Sequence, residues 1–311
     1  MERGGRFRLI INPAIMARGI PSPLPDALFC VLGGAVPSGR TITSFDGISW
    51  TNDPLPFSDG GAMAWNGSVF CMVLSGSNIA LTSPDGRTWT QRTLPSSQNW
   101  WAIIWNGSIF LASAIASSAY ATSPDGITWT ARTFPASSDW GVLGWTGSLF
   151  VVATQTATNQ FLTSPDGITW TQRTFPIADS WRAMAWNGSL MCLIAEGTNI
   201  YLTSVDGISW VQRTLPLTGS WHDIAWGAGL FCTISRASTI ALTSPDGITW
   251  TQRAIPVAVD VRELAWNGSV FCAPNFNSNI AVTSPNGIDW TVRTLPQTAN
   301  WTRIASRTRH R

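Results

Sequence analysis

Lysine is absent from this sequence of 311 residues, so all 19 residues counted as Lys+Arg are arginines. Charge of either sign is scarce: 12% of residues are charged, and the formal net charge is +2. So weak a balance lacks the electrostatic field of a nucleic-acid binder, and no nucleic-acid partner is expected. With 44% hydrophobic residues the chain also has enough apolar matter for a large core, which excludes a disordered polymer. No run of about 18 apolar residues occurs, so no membrane-spanning helix and no membrane insertion are expected. The opening stretch MERGGRFRLIINPAIMARG has arginines and a short apolar segment, but Asn12 and Pro13 interrupt it, making a poor signal peptide. Glutamate is limited to Glu2, Glu196 and Glu263, histidine to His222 and His310, and tyrosine to Tyr120 and Tyr201. Neither histidine has a Ser or Cys nucleophile context, which leaves nucleophilic triads without material.

Tryptophan, by contrast, is abundant at 19 residues. The cause is repetition. SPDGITW recurs at Ser123–Trp129, Ser164–Trp170 and Ser244–Trp250, with variants at Ser44–Trp50, Ser83–Trp89, Ser204–Trp210 and Ser284–Trp290. The Asp or Asn of these boxes stands at Asp46, Asp85, Asp125, Asp166, Asp206, Asp246 and Asn286, at intervals of 39, 40, 41, 40, 40 and 40 residues. A second marker, W-N-G-S, begins at Trp65, Trp105, Trp186 and Trp266, with variants at Trp145 and Trp226. Asn-Gly and Asp-Gly between β-rich runs predict tight turns, with both central residues at positive φ. One unit therefore reads as four strands, in the fifth interval 181–186, 190–194, 199–204 and 208–214. No helical period of 3.6 appears, which excludes helical repeats of similar length.

Four strands per unit, seven units and about 40 residues each predict an all-β, seven-bladed β-propeller of four-stranded antiparallel blades. Residues 28–32 match a second strand with no W-N-G-S before them, and residues 301–305 match a first strand. Joined, they complete one blade, so the ring is expected to close through a blade shared by the N- and C-terminal segments. The organisation expected is a basic N-terminal extension (1–26), the propeller (27–306) and a basic tail (307–311).

The S-x-D-G-x-[ST]-W segment resembles the Asp-box, or BNR, repeat of sialidases and related propellers, with one residue fewer between Asp and Gly. The WNGS…TSPDGITWT units are also similar to repeats of propeller-type bacteriophage tail and virion proteins. The resemblance covers residues 27–306. A sialidase site would imply a tyrosine paired with a glutamate, an acidic proton donor and an arginine triad; Tyr120 and Tyr201 occupy one repeat position and read instead as third-strand packing residues. Asp223 and Glu263, on first strands of neighbouring blades, are the best candidates for a carboxylate pair.

The box carboxylates read as turn residues rather than metal ligands, because Asn286 stands in an otherwise intact box and only Asp brings a ligand's charge. No metal or cofactor is implied. Cys30, Cys71, Cys192, Cys232 and Cys272 share one second-strand position, too far apart on successive blades for disulfides, and read as small buried hydrophobes. Arg92, Arg132, Arg173, Arg213, Arg253 and Arg293 recur on the last strand, either guarding an open edge or forming a basic belt. The N-G-S sequons at Asn66, Asn106, Asn187 and Asn267 are explained by their hairpins.

First strands of a propeller line its axis. Trp100, Trp140, Trp181, Trp221 and Trp301 start these strands, and two readings stand: packing between blades, or ringing the channel mouth. Trp101, Arg182, His222 and Arg262 follow them directly, with Asp223, Glu263 and Arg303 one place on. These positions vary while the turns do not, as a contact face would. The candidate ligand or partner set is thus Trp100, Trp101, Trp140, Trp181, Arg182, Trp221, His222, Arg262, Trp301 and Arg303.

The expected function is a non-enzymatic structural or adhesion component of a bacteriophage virion, tail- or capsid-associated. It would be made in host cytoplasm, bound to other virion proteins through its basic termini and touching host-surface glycan or neighbouring subunits. A free, extracellular, multivalent carbohydrate-binding lectin is the alternative, and a glycosidase a third.

Overall fold

The computed structural model describes residues 28–34, 39–55, 57 and 61–307. The N-terminal extension and the residues after 307 lie outside them. Strands alone make up the regular structure of the described residues. The chain begins with β1 (Leu28–Gly34), β2 (Arg40–Ser44) and β3 (Thr51–Pro54). Next come β4 (Gly61–Trp65), β5 (Phe70–Ser83), β6 (Thr90–Trp105), β7 (Phe110–Ala114), β8 (Ser117–Ser123) and β9 (Thr130–Ser138). A third group holds β10 (Val142–Trp145), β11 (Phe150–Ala153), β12 (Thr158–Ser164) and β13 (Thr171–Asp179). After it come β14 (Trp181–Trp186), β15 (Met191–Ser204), β16 (Val211–Gly227), β17 (Leu230–Ser235), β18 (Ser238–Ser244) and β19 (Thr251–Val259). The last are β20 (Ala265–Trp266), β21 (Phe271–Pro274), β22 (Ser278–Ser284) and β23 (Thr291–Arg307).

Pairing is antiparallel between chain neighbours, as tight turns dictate, and four hydrogen-bonded sheets of seven, four, six and six strands result. Three strands, β6, β16 and β23, are long because the chain runs straight from one four-stranded unit into the next. β6 pairs with β5 over Thr90–Asn99 and with β7 over Trp100–Trp105. β5 and β15 are long because the second and third strands of one unit are continuous: β15 is one strand where two were expected, its register shifting around Gly197. The ends of the described chain meet: β1 pairs with β23 from Leu28↔Arg307 to Gly34↔Asn300. Arg307 therefore belongs to a strand and not to a tail, its guanidinium 4.9 Å from the Trp65 ring centroid.

The turns work by side-chain chemistry. In the first box Asp46 Oδ1 accepts hydrogen bonds from Ser44 Oγ (3.0 Å) and from the Ile48 and Ser49 N–H groups (2.8 Å each). This withdraws those two residues from the ladder, which is why β16 starts at Val211 rather than at 208. Asn286 Oδ1 makes the equivalent three bonds. Only glycine is left-handed in the box and in W-N-G-S: Gly47 has φ 71° and Gly67 has φ 98°. The Asn66 side chain replaces the second left-handed residue, accepting from the Ser68 and Val69 N–H groups at 2.9 and 2.8 Å. Both central residues are left-handed in the variant at Trp226, where Ala228 (φ 51°) and Gly229 (φ 76°) join the Gly227↔Leu230 pair.

One stability prediction arises here. Backbone N–H groups hold the Asp166 carboxyl near 2, so its contribution is present above the ordinary carboxylate value and is lost as pH falls towards 2. Asp166→Asn should keep most of the turn's stability but lose this acid dependence, whereas Asp166→Ala should cost about 1–2 kcal/mol. Urea unfolding of both variants at pH 7 and pH 3 measures the difference.

Sheets bury both faces against their neighbours. Val142, Val151, Phe161 and Phe175 of one unit pack on Trp181, Met191 and Leu193 of the next. The five cysteines are buried and unpaired, and burial pushes the Cys192 thiol up to about 12. The next box's glycine lies directly above: a Cβ on Gly247 would stand 2.8 Å from Cys192 Sγ. Tyr120 and Tyr201 are buried and donate to the carbonyls of Gly167 and Gly247, both at 3.1 Å. The six last-strand arginines each donate from Nε to a third-strand threonine Oγ1 at 2.8–3.3 Å, bracing the outer ladder.

Candidate functional site at the channel mouth

Residues 62, 102, 142, 183, 223, 263 and 303, equivalent positions of the repeat, all line one cavity of about 250 Å³. A second cavity of about 430 Å³ shares Trp101, Arg182, His222, Arg262 and Arg303 with it and adds Glu196, Arg236 and Phe276. A repeated backbone bond fixes this mouth. The N–H groups of Ile115, Gln155, Glu196, Arg236 and Phe276 donate to the carbonyls of Asn99, Asp139, Ser180, Ser220 and Asp260. Each loop between second and third strands is thereby laced to the entrance of a first strand.

Five charged side chains form a chain across the mouth. Arg182 pairs with Glu196, which lies 3.3 Å from Arg236 Nη1. Arg236 grips Asp260 with two nitrogens, Nε at 2.7 Å and Nη2 at 3.4 Å, and Arg262 reaches the same carboxylate at 3.4 Å. The Arg262 guanidinium lies 4.4 Å from the Phe276 ring centroid, and that of Arg303 lies 4.9 Å from Trp101. The Nε atoms of Arg182 and Arg262 are buried and have no hydrogen-bond partner. Three guanidinium groups against two carboxylates leave this chain with an excess positive charge.

His222 and the carboxylate pair lie beside it. His222 Nδ1 is 3.1 Å from the Arg262 carbonyl, which can only accept; Nδ1 therefore carries the hydrogen, and Nε2 is left with its lone pair. Burial holds this imidazole down at about 4, so it is neutral at pH 7. Asp223 accepts from the Ile224 N–H (2.9 Å) and, across to the neighbouring strand, from the Leu264 N–H (2.7 Å). Glu263 accepts from the Ile304 N–H at 2.8 Å, and Arg303 Nε is 3.5 Å from its other oxygen. Arg303 Nε also donates to the Gly61 carbonyl at 2.8 Å. Burial first, then repulsion from Glu263, raises the Asp223 carboxyl far above the ordinary range; burial also raises Glu263.

Trp101, Arg182, His222, Arg262 and Arg303 of the sequence-derived set thus meet in one place. The five strand-starting tryptophans do not join them. Trp100, Trp140, Trp181, Trp221 and Trp301 are each no more than 1% exposed. Their side chains turn into the interfaces between sheets, where a large apolar ring gains most, and contact falls to the residues that follow them. Sequence reasoning missed Glu196, Arg236 and Phe276. They share a signal, since each precedes a left-handed turn residue: Gly197, Ala237 or Asn277.

No protein-family model matches this sequence, and no curated protein matches it significantly. Among solved structures the chain is similar to a streptogramin B lyase (TM-score 0.69, 11% identity, 81% of this chain and 89% of that one). It is also similar to a catalytically inactive virginiamycin B lyase from Staphylococcus aureus with quinupristin (0.65, 10%, 88% and 97%). A third similar structure is Kluyveromyces lactis Hsv2p (0.59, 13%, 85% and 93%). The fold is a β-propeller. The expectation of a non-enzymatic chain is corrected by these comparisons: lyases share the architecture, so repeats devoted to turns and packing are no argument against chemistry at the mouth.

Proposed function

We propose that this chain is a seven-bladed, Asp-box-type propeller that holds an anionic, ring-bearing ligand, an acidic glycan, at the mouth of its central channel. Seven boxes, seven equivalent positions around one cavity and the β1–β23 pairing support the closed ring. The observation that carries the ligand reading is the convergence of Trp101, Arg182, His222, Arg262 and Arg303, with two guanidinium Nε–H groups buried and unpartnered. Guanidinium groups suit carboxylate or sulfate, and an aromatic plane suits a sugar ring. The ionisable residues at these positions fall on four successive units, from Arg182 through His222 and Arg262 to Arg303, which supports one site per ring rather than the equal, repeated sites of a multivalent lectin. The setting we propose is the bacteriophage virion, where the propeller contacts host-surface glycan or a neighbouring subunit; its support is the likeness of the WNGS and SPDG units to virion propellers.

Titration calorimetry with heparin and polygalacturonate tests the site. The expected result is a single class of site, with Arg182→Ala/Arg262→Ala weakening it by at least about tenfold. Binding unchanged in the double variant would refute the assignment. Mass spectrometry of purified phage particles tests the setting, and consistent absence from them would remove it.

A further inference from the structure

The cavities are lined by groups that can move protons and hold an anion, and their lining includes no serine, cysteine or tyrosine. His222 presents a lone pair on Nε2, fixed by the Arg262 carbonyl on its other nitrogen. Asp223, on β16, and Glu263, just before β20, stand at equivalent positions of neighbouring units, each anchored by a backbone N–H of the next unit. Arg182 and Arg262 keep a buried Nε–H without partner. A neutral base, an acid and a carboxylate anchor are together what an elimination requires, and no covalent nucleophile is needed.

We propose that the channel mouth catalyses β-elimination from a carboxylate-bearing glycan, with His222 as base, the Asp223–Glu263 pair as acid, and Arg182 and Arg262 as anchors. This rests on the anionic-ligand reading above. Arg182 and Arg262 hold the substrate carboxylate and stabilise the charge that builds on it in the transition state. His222 Nε2 takes the proton from the carbon next to that carboxylate. The electron pair of the broken C–H bond becomes the new C=C bond, and the β-carbon–oxygen bond breaks. The leaving oxygen takes its proton from the carboxyl pair, whose raised affinity keeps one available at neutral pH. The products are an unsaturated acid and an alcohol; His222 and the pair regain their starting states by proton exchange with water. No oxidant, reductant or further reactant is consumed.

The test uses the full chain with polygalacturonate, alginate and heparin, following the ultraviolet absorbance of a C=C bond conjugated to a carboxylate. At least one of these should give that absorbance, with a primary isotope effect when the abstracted hydrogen is deuterium. His222→Gln should lower kcat by about a hundredfold or more while calorimetry shows the ligand still bound and circular dichroism an unchanged melt. A variant that melts early is replaced by His222→Asn, judged by the same readouts. Binding without absorbance from any of the three, or a rate indifferent to both His222 variants, overturns the elimination and leaves the ligand reading standing. Absence of binding to all three overturns both.

Discussion

Trp181→Ala should destabilise the protein by about 3–5 kcal/mol, the cost of deleting a large aromatic from a packed interior. Trp181 has no exposed surface, lies 5.3 Å from the Phe175 ring centroid, and sits among residues of two adjacent sheets. The cavity would open at the joint between sheets, where neither can shift without disturbing its other neighbour. Trp101→Ala, at the mouth, should cost far less. A finer comparison follows from the indole nitrogens. Trp100 Nε1 donates to the Ser77 carbonyl at 3.0 Å, whereas Trp181 Nε1 has no partner. Trp100→Phe should therefore be about 1 kcal/mol worse than Trp181→Phe, since it strands a carbonyl acceptor. Denaturant unfolding measures both effects. A Trp181→Ala loss below about 1 kcal/mol would mean that the interface between sheets is not what holds the ring.

The second large effect is on the pH dependence of stability. Burial, and then repulsion from Glu263, raises the folded Asp223 carboxyl, so the folded chain keeps a proton that the unfolded chain releases near the ordinary carboxylate value. That contribution is fully present below pH 4 and is lost as pH rises through the raised carboxyl value, at no more than about 1.4 kcal/mol per pH unit. His222 works the other way. Its folded value of about 4 lies below its ordinary 6.5, so stability gained from neutral burial rises across that interval. Glu263, also raised by burial, adds to the carboxyl slope, which His222 opposes below pH 6.5 and which stands alone above it. Wild-type melting temperature should therefore fall more steeply from pH 6.5 to 8 than from 4 to 6.5. Glu263→Gln keeps an oxygen for the Ile304 N–H but removes the neighbouring charge. Asp223 should then ionise at lower pH, and the fall between 6.5 and 8 should shrink. Parallel wild-type and Glu263→Gln curves over that range would show that repulsion between the two carboxyls is not the cause.

Much of this was legible in the residues, unevenly. The turns could be read because their chemistry is local: Asp46 bonds residues two and three places on, and Asn66 does the same. Long strands such as β15 and β16 were split or misplaced at their ends, since a β-bulge and a side-chain-capped turn look alike in sequence. His222, Arg182, Arg262 and Arg303 could be picked out as departures from a fixed framework. Glu196 and Arg236 stand where second and third strands join, and every unit differs there, so variation carried no contrast.

The sequence by itself determined the repeat, its β character, and the turn that ends each strand, because these depend on contacts within a few residues. Whether Trp181 faced the channel or the neighbouring sheet, which arginines found acids, and that burial raises the carboxyls of Asp223 and Glu263 were decided only by the tertiary structure. Several of the pairs involved, Arg236–Glu196, His222–Arg262 and Asp223–Leu264 among them, stand about 40 residues apart, and burial and charge act through space rather than along the chain.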